Sequence, residues 1–312
     1  MQNSIKMMEK IIGNVERIIV GKRDIIELIL MSLICEGHVL IEDVPGVGKT
    51  TLVHSFARSI NASFNRIQFT PDVLPSDVTG FSMFNQKLCD FEYRSGAIMS
   101  QIILADEINR TTPKTQSSLL EVMEEHQVTV DGVTYSVPKP FMVLATQNPI
   151  EYIGTYPLPE AQIDRFFMKI TIGYPLHSEE MEIISRFKLS NPIDKLKPVA
   201  DNNDIIALQD KVKTIHVDES IINYIVQIVE QTRNNHDVML GSSPRGSLSL
   251  FKASQAHAFL RGRNYVIPDD VKKMSYPVLS HKIILKQEAT LKKLSTIDII
   301  TSILDNINIP VV

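Results

Sequence analysis

The sequence predicts an α/β fold built on a parallel sheet and continued by a helical second domain. Three stretches carry this reading. Residues 39–51 run from an apolar strand through a Pro/Gly turn into an amphipathic helix. Residues 101–107 form a second apolar strand that ends in two adjacent carboxylates. Beyond Tyr174-Pro175 the strand-like runs stop, and the later segments have a helical period.

Taken in order, residues 5–18 and 25–34 place apolar side chains at helical spacing, with Ile19-Val20-Gly21-Lys22 as the break between them. The run 39–51 then has the context of a phosphate-binding loop. Gly46 and Gly48 let backbone N–H groups converge on an anion with no Cβ in the way. The helix opening at Lys49 aims its free amides and positive dipole end at the same point. Lys49 can reach the β/γ-phosphates and the Thr50 hydroxyl can ligate Mg²⁺. Val44, Pro45, Val47 and Thr51 complete the set expected around the cofactor. Asp43 stands where the strict pattern G-x-x-x-x-G-K-[ST] has its first glycine, and aspartate tolerates turn conformations. With a nucleotide here, Val20 and Gly21 are either a plain linker turn or a segment against its base.

Residues 64–69 read as a strand, 70–80 as an irregular stretch with Pro71 and Pro75, and 81–95 as strand-like pieces. Because a mononucleotide fold would cross directly to its next core strand, 70–95 reads as an insertion. The strand 101–107 ends in Asp106-Glu107, and the carboxyl ends of parallel strands border the ligand crevice. Asp106 is therefore expected to meet Mg²⁺ through water, and Glu107 to orient and deprotonate an attacking water. Thr112-Pro113 starts a helix through Glu125, with proline in its first turn. Residues 127–137 alternate around Asp131-Gly132, a hairpin signal. The buried strand 141–145 leads to Thr146-Gln147-Asn148-Pro149, where the Asn148 amide is either a turn former or a holder of the water or γ-phosphate.

A short helix at 160–164, then Arg165, then a strand at 167–172 close the first part. Arg165 is either a surface arginine or a finger for a neighbouring subunit's ATP, since such a group can act in trans. Helical segments follow at about 178–190, 201–213, 218–235, 245–261, 268–281 and 295–307. Arg245, at one helix start, is either solvated or able to swing onto the nucleotide.

Composition bounds the function. The 312 residues are 44% hydrophobic and 22% charged, which suits a globular protein with a sizeable core. A net charge of −4, no tryptophan and 6% aromatics weigh against a nucleic-acid backbone binder or a base-stacking surface. Cys35 and Cys89 lie far apart without ligand-like neighbours and read as free buried thiols of a reducing compartment. The scattered histidines carry no H-E-x-x-H, so no protein-built zinc site is expected. The apolar stretch 25–35 is interrupted by Glu27 and too short to span a bilayer. Neither a signal peptide nor membrane insertion is expected, and the compartment is expected to be cytoplasmic.

These residues resemble an AAA+ ATPase, and more closely the MoxR family, over nearly the whole chain. The most specific stretch is Leu104-Ala105-Asp106-Glu107-Ile108-Asn109-Arg110, followed by Pro113-Lys114-Thr115-Gln116, Leu119-Leu120-Glu121 and Met123-Glu124-Glu125. Glu42 to Thr50, Phe69-Thr70-Pro71-Asp72 and Pro159 to Phe166 are also family-like, and Asp43 is what the MoxR pattern usually carries. The resemblance implies a three-layer αβα P-loop NTPase core over 1–174 and an all-helical lid over 175–312. It implies a hexameric ring with ATP/ADP and Mg²⁺ at subunit interfaces. By resemblance Lys49 and Thr50 are Walker A, Asp106 and Glu107 Walker B, Asn148 sensor 1, Arg165 the arginine finger and Arg245 sensor 2. Val20-Gly21 matches the adenine-side segment, with Lys22 in place of the usual glutamine.

The expected function is thus Mg²⁺-dependent ATP hydrolysis by a ring-forming, chaperone-like protein. It would remodel or activate a separate partner, such as a von Willebrand factor A domain protein or a metalloenzyme under assembly. Two other classes stay open: a nucleotide-gated assembly module with negligible turnover, and a DNA-directed motor.

Overall fold

The computed structural model describes residues 1–148, 154–188 and 192–310. Helices α1 (Gln2–Glu16) and α2 (Arg23–Ile34) precede strand β1 (Val39–Glu42), and α3 (Lys49–Ser59) begins on the lysine of the phosphate loop. Strand β2 (Phe64–Gln68) leads through α4 (Pro75–Thr79) into a hairpin of β3 (Gly80–Asn85) and β4 (Asp90–Ser95). Then come β5 (Ile102–Asp106), α5 (Pro113–Glu125), the hairpin β6 (Gln127–Val130) and β7 (Val133–Ser136), and β8 (Met142–Gln147). Helix α6 (Glu160–Ile163) and strand β9 (Met168–Ile170) complete this part.

The main sheet has the order β2-β5-β8-β1-β9, with every neighbouring pair parallel. The inner strands β5, β8 and β1 are mostly apolar because both of their faces are covered, as the two-residue period of a strand shows, while the edge strand β2 carries Asn65, Arg66 and Gln68. Val39 and Ile41, Ile102 and Leu104, and Met142 and Leu144 enter one apolar cluster with α1, α2 and α3. Leu40, Ile103 and Ala105, and Val143 and Ala145 enter the other, against Leu119, Leu120, Val122 and Met123 of α5. This is a three-layer αβα core.

Local signals set the element ends. The Thr112 hydroxyl accepts from the Thr115 N–H at the start of α5, with Pro113 in the first turn. Asp131 and Gly132 both have positive φ, 50° and 81°, the backbone a two-residue hairpin turn needs. Glu27, which breaks the apolar run of α2, is buried between Arg23 and Arg261 at 3.2 and 2.7 Å. Its charge therefore joins α2 to the C-terminal part.

That part contains α7 (His177–Phe187), α8 (Asn202–Val212), α9 (Glu219–Asn234), strand β10 (Val238–Leu240), α10 (Pro244–Leu260), α11 (Pro268–Leu279), strand β11 (Ile284–Leu285), α12 (Gln287–Leu291) and α13 (Thr296–Asn306). Two expectations need correction. The C-terminal part is helical but not wholly so, because β10 and β11 pair antiparallel across the gap between α9 and α12. Cys35 is buried but Cys89 is exposed, since it lies in the turn of the β3–β4 hairpin, away from either core. Residues 189–190 of one expected helix and Pro149 lie outside the described residues. Among the described residues, no helix is long and apolar enough to cross a membrane.

Candidate nucleotide site

Helix α3 follows β1 beside the point where the strand order reverses, which is where ligands bind in open α/β sheets. Gly46 and Gly48 have φ of 86° and 87°, and a Cβ at either would meet nothing within 4 Å. The loop thus presents glycine-only backbone to open space, the shape a phosphate cradle requires. Lys49 Nζ donates to the carbonyls of Asp43 and Val44, both at 2.9 Å, and so lies over the loop.

Asp43 explains the missing glycine. Its side chain is buried, and Oδ2 accepts from the N–H groups of Ile172 and Gly173, each at 2.7 Å. Oδ1 accepts from the Val44 N–H at 2.8 Å. The loop is therefore tied to the segment that leaves β9 for the C-terminal helices.

Beside the loop lies a cavity of about 390 Å³, lined by Gly46, Val47, Gly48, Thr51, Val20 and Lys22, and by Ile183, Ile184 and Phe187 of α7. The break between α1 and α2 thus borders the loop. Gly21 has φ 70°, and a Cβ there would lie 1.8 Å from Glu179 Oε1, so α7 closes directly over this segment. Lys22 donates to the Tyr174 carbonyl at 3.0 Å and helps fix that closure. An apolar slot beside an anion cradle fits a base next to its phosphates.

The carboxylates stand at the end of β5. Asp106 Oδ1 accepts from the Thr146 hydroxyl at 2.6 Å, and Oδ2 from Arg66 at 2.6 Å. Oδ2 accepts from both Nε and Nη2 of Arg66, so Oδ1 is the oxygen that keeps a free lone pair, and with the Thr50 hydroxyl it supplies the hard-oxygen donors that Mg²⁺ takes. Glu107 has φ 57°, an uncommon backbone for a glutamate and one found at functional sites. Its N–H donates to Thr146 Oγ1 at 2.9 Å. Its carboxylate accepts from Gln68 at 2.7 Å and faces Arg110 at 3.3 Å. One hydroxyl, Thr146, therefore bridges both carboxylate residues. Asn148 follows β8, which lies between β1 and β5, so it is mostly buried between the phosphate loop and the carboxylates.

Arg66, Gln68 and Thr146 went unnoticed in the sequence. The signal available was the polar pair Arg66 and Gln68 at alternate positions of β2, in register with the strand that ends in Asp106.

The two remaining arginines are elsewhere. Arg165 Nε lies 3.3 Å from Glu124 Oε2, and Arg245 pairs with the other oxygen of the same carboxylate. Glu124 is at the end of α5, and the Phe167 N–H bonds the His38 carbonyl at 2.8 Å just before β1. Both arginines thus sit at the amino ends of the strands, beside a separate cavity of about 210 Å³. The structure brings Val20, Lys49, Thr51, Asp106, Glu107 and Asn148 to one end of the sheet, and Arg165 and Arg245 to the other. Arg245 is not placed at its own chain's phosphate loop.

Comparison with known proteins agrees with this architecture. Residues 38–168 match the family described as ATPases associated with various cellular activities, AAA, and residues 230–303 match the AAA lid domain. The chain is 53% identical to the uncharacterized protein YeaC of Bacillus subtilis, over 98% of this chain and 95% of that protein. It is 41% identical to the chaperone MoxR1 of Mycobacterium tuberculosis, over 98% of this chain and 83% of MoxR1. A crystal structure of a protein from Cytophaga hutchinsonii, assigned as an ATPase, superposes with a TM-score of 0.93 at 39% identity, covering 99% of this chain and 96% of that one. The chain belongs to the MoxR family of AAA+ ATPases.

Proposed function

We propose that the protein is a Mg²⁺-dependent ATP hydrolase that works as a homo-oligomeric ring, with 1–174 as its ATPase core and 175–312 as its lid. The observation that carries the ring is the position of the two arginines. Strand β8 is six residues long, so the ends of the sheet lie about 20 Å apart, beyond the reach of one side chain. If Arg165 and Arg245 serve a nucleotide, it is the one on the next subunit. A phosphate-loop face meeting an arginine face is a head-to-tail contact, and head-to-tail contacts form rings where the rotation between subunits closes. A ring of six is the form the family resemblance favours.

Within one site, Lys49 and the amides of Gly46 to Thr51 hold the phosphates, while Val20 and Gly21 flank the base. Thr50 and Asp106 would hold Mg²⁺, Asp106 through water. The ion, when bound, neutralises charge on the phosphate oxygens. Glu107, set by Thr146, takes the proton of the attacking water, and Asn148 orients that water. Arg165 from the neighbour stabilises the charge that develops during transfer. The relative named a chaperone supports a remodelling or activating role toward a separate client protein, such as a von Willebrand factor A domain protein or a metalloenzyme. Localisation in the cytoplasm fits such a role.

One observation favours a second reading, a nucleotide-gated assembly module with little turnover. The Glu107 carboxylate is engaged by Gln68 and Arg110, which hold it as a structural group.

Turnover measured against protein concentration, with particle size in parallel, separates the two. The ring reading expects activity per chain to rise as rings form. It also expects Arg165→Ala to bind ATP normally while hydrolysing it about 10³-fold more slowly. Activity that is flat with concentration and indifferent to Arg165 overturns the shared site, and negligible turnover in assembled wild type favours the module.

A further inference from the structure

Arg165 is held from behind by one buried cation. Lys282, in the turn after α11, has 0% of its side-chain surface exposed. Its Nζ donates to the carbonyl of Asp164 at 2.5 Å and to that of Phe166 at 2.8 Å, the residues on either side of Arg165. It also lies 3.4 Å from Asp164 Oδ1. The other oxygen of that carboxylate accepts from Ser243 at 2.8 Å, and Ser243 caps the helix that carries Arg245. His281 adds a bond from Nε2 to the Phe166 carbonyl at 3.1 Å.

Burying an ammonium is costly, and a well-packed apolar residue is often at least as stabilising as a buried ion pair. Burial pushes the Lys282 pKa down to about 8, against the pull of Asp164, and the group stays mostly charged at neutral pH. Packing alone therefore does not call for a lysine here. What an ammonium supplies is three divergent donors, which fix two backbone carbonyls and a carboxylate at once.

We propose that Lys282 is a positioning residue for Arg165, coupling the turn after α11 to the arginine that completes the neighbouring subunit's ATP site. The proposal rests on the shared-site reading above. Because the grip is on backbone on both sides of Arg165, displacement of this turn carries the arginine with it. Asp164–Ser243 links the same unit to Arg245, so both arginines move together.

The test uses full-length Lys282→Met, which keeps length but loses donors and charge, and Lys282→Arg as the conservative partner. Lys282→Gln is carried in parallel in case the methionine variant fails to assemble. Ring size and affinity for a fluorescent ATP analogue should stay within about twofold of wild type, since the chain's own phosphate loop is untouched. Turnover of Lys282→Met should fall about tenfold to a hundredfold, the cost of a misplaced catalytic group. Lys282→Arg should recover most of it.

Mixing then separates positioning from plain damage. Lys282→Met chains have an intact phosphate loop, and Lys49→Ala chains have an intact Arg165. Mixed rings should turn over faster than the sum of the two parents, because Lys49→Ala neighbours supply a well-placed arginine. If the mixture only equals that sum, or if Lys282→Met matches wild type while Arg165→Ala is inactive, the positioning role is wrong and the shared site stands. If Arg165→Ala itself hydrolyses at the wild-type rate, the shared-site reading fails first.

Discussion

Three backbone N–H groups converge on one side chain, Asp43, and two of them belong to Ile172 and Gly173. Replacing Asp43 by glycine would make the loop match the strict G-x-x-x-x-G-K-[ST] pattern, yet it would leave two inward N–H groups without an acceptor. An orphaned buried donor costs roughly 1–3 kcal/mol. Asp43→Gly should therefore lower stability by about 2–3 kcal/mol in chemical denaturation and weaken ATP binding. A variant as stable as wild type would show that the tie contributes little. At this scale the sequence was most informative about contiguous motifs. Lys49, Thr50, Asp106 and Glu107 could be read from local pattern, because strand, turn and helix follow one another along the chain. Arg66, Gln68 and Thr146 could not, since they meet the carboxylates only through strand register. The reason for Asp43 was hidden likewise, its partners lying on a segment far along the chain.

Single elements are pinned to one another by side chains that bond backbone, and His38 is the clearest case. Its Nδ1 accepts from the Val143 N–H at 3.0 Å, and its Nε2–H faces the Met123 carbonyl at 2.9 Å. It thus joins the end of α5 to the start of β8. Burial pushes its pKa down to about 4, helped by His126 and opposed by the Met123 carbonyl. Between about pH 6.5 and 4 the unfolded chain binds a proton that the folded one refuses. Stability from this group is complete above that window and falls with pH inside it, by about 1.4 kcal/mol per unit. From pH 7 to 4.5, wild type should lose about 2–3 kcal/mol more than His38→Gln in urea unfolding, and equal losses would place the acid sensitivity elsewhere. Element types were legible because the helical and strand periods are strong, and Asp131-Gly132 announced its hairpin. The β10–β11 ribbon was not, being three and two residues long and defined only by pairing.

At the scale of the molecule, the sheet separates the chemistry into two halves. The phosphate loop, carboxylates and Asn148 lie at the carboxyl ends, while Arg165, Arg245 and their shared partner Glu124 lie at the amino ends. On the shared-site proposal such a chain carries half of two sites instead of one whole site, and turnover is then expected to follow assembly and not chain concentration alone. The C-terminal helices reinforce this division, since α8 and α10 dock on α2 through contacts such as Gln209 to the Leu33 carbonyl at 2.9 Å. The order of the longer helices was readable from periodicity, but the five-residue helices α4 and α12 were too short to show a period. Strand order, and the meeting of Arg165 with Arg245, were not, because both follow from how the layers stack.

The β3–β4 hairpin has one more use. Its turn holds Cys89, exposed, whereas Cys35 is buried and its thiol is pushed up to about 12 by burial. Reaction with a maleimide requires access and thiolate. At neutral pH a dye should therefore attach once per chain, at the hairpin tip, and intact-mass measurement should show a single adduct that Cys89→Ser abolishes. The wild-type protein would then carry its own spectroscopic ruler: energy transfer between dyes on successive hairpins would follow their spacing with no cysteine introduced.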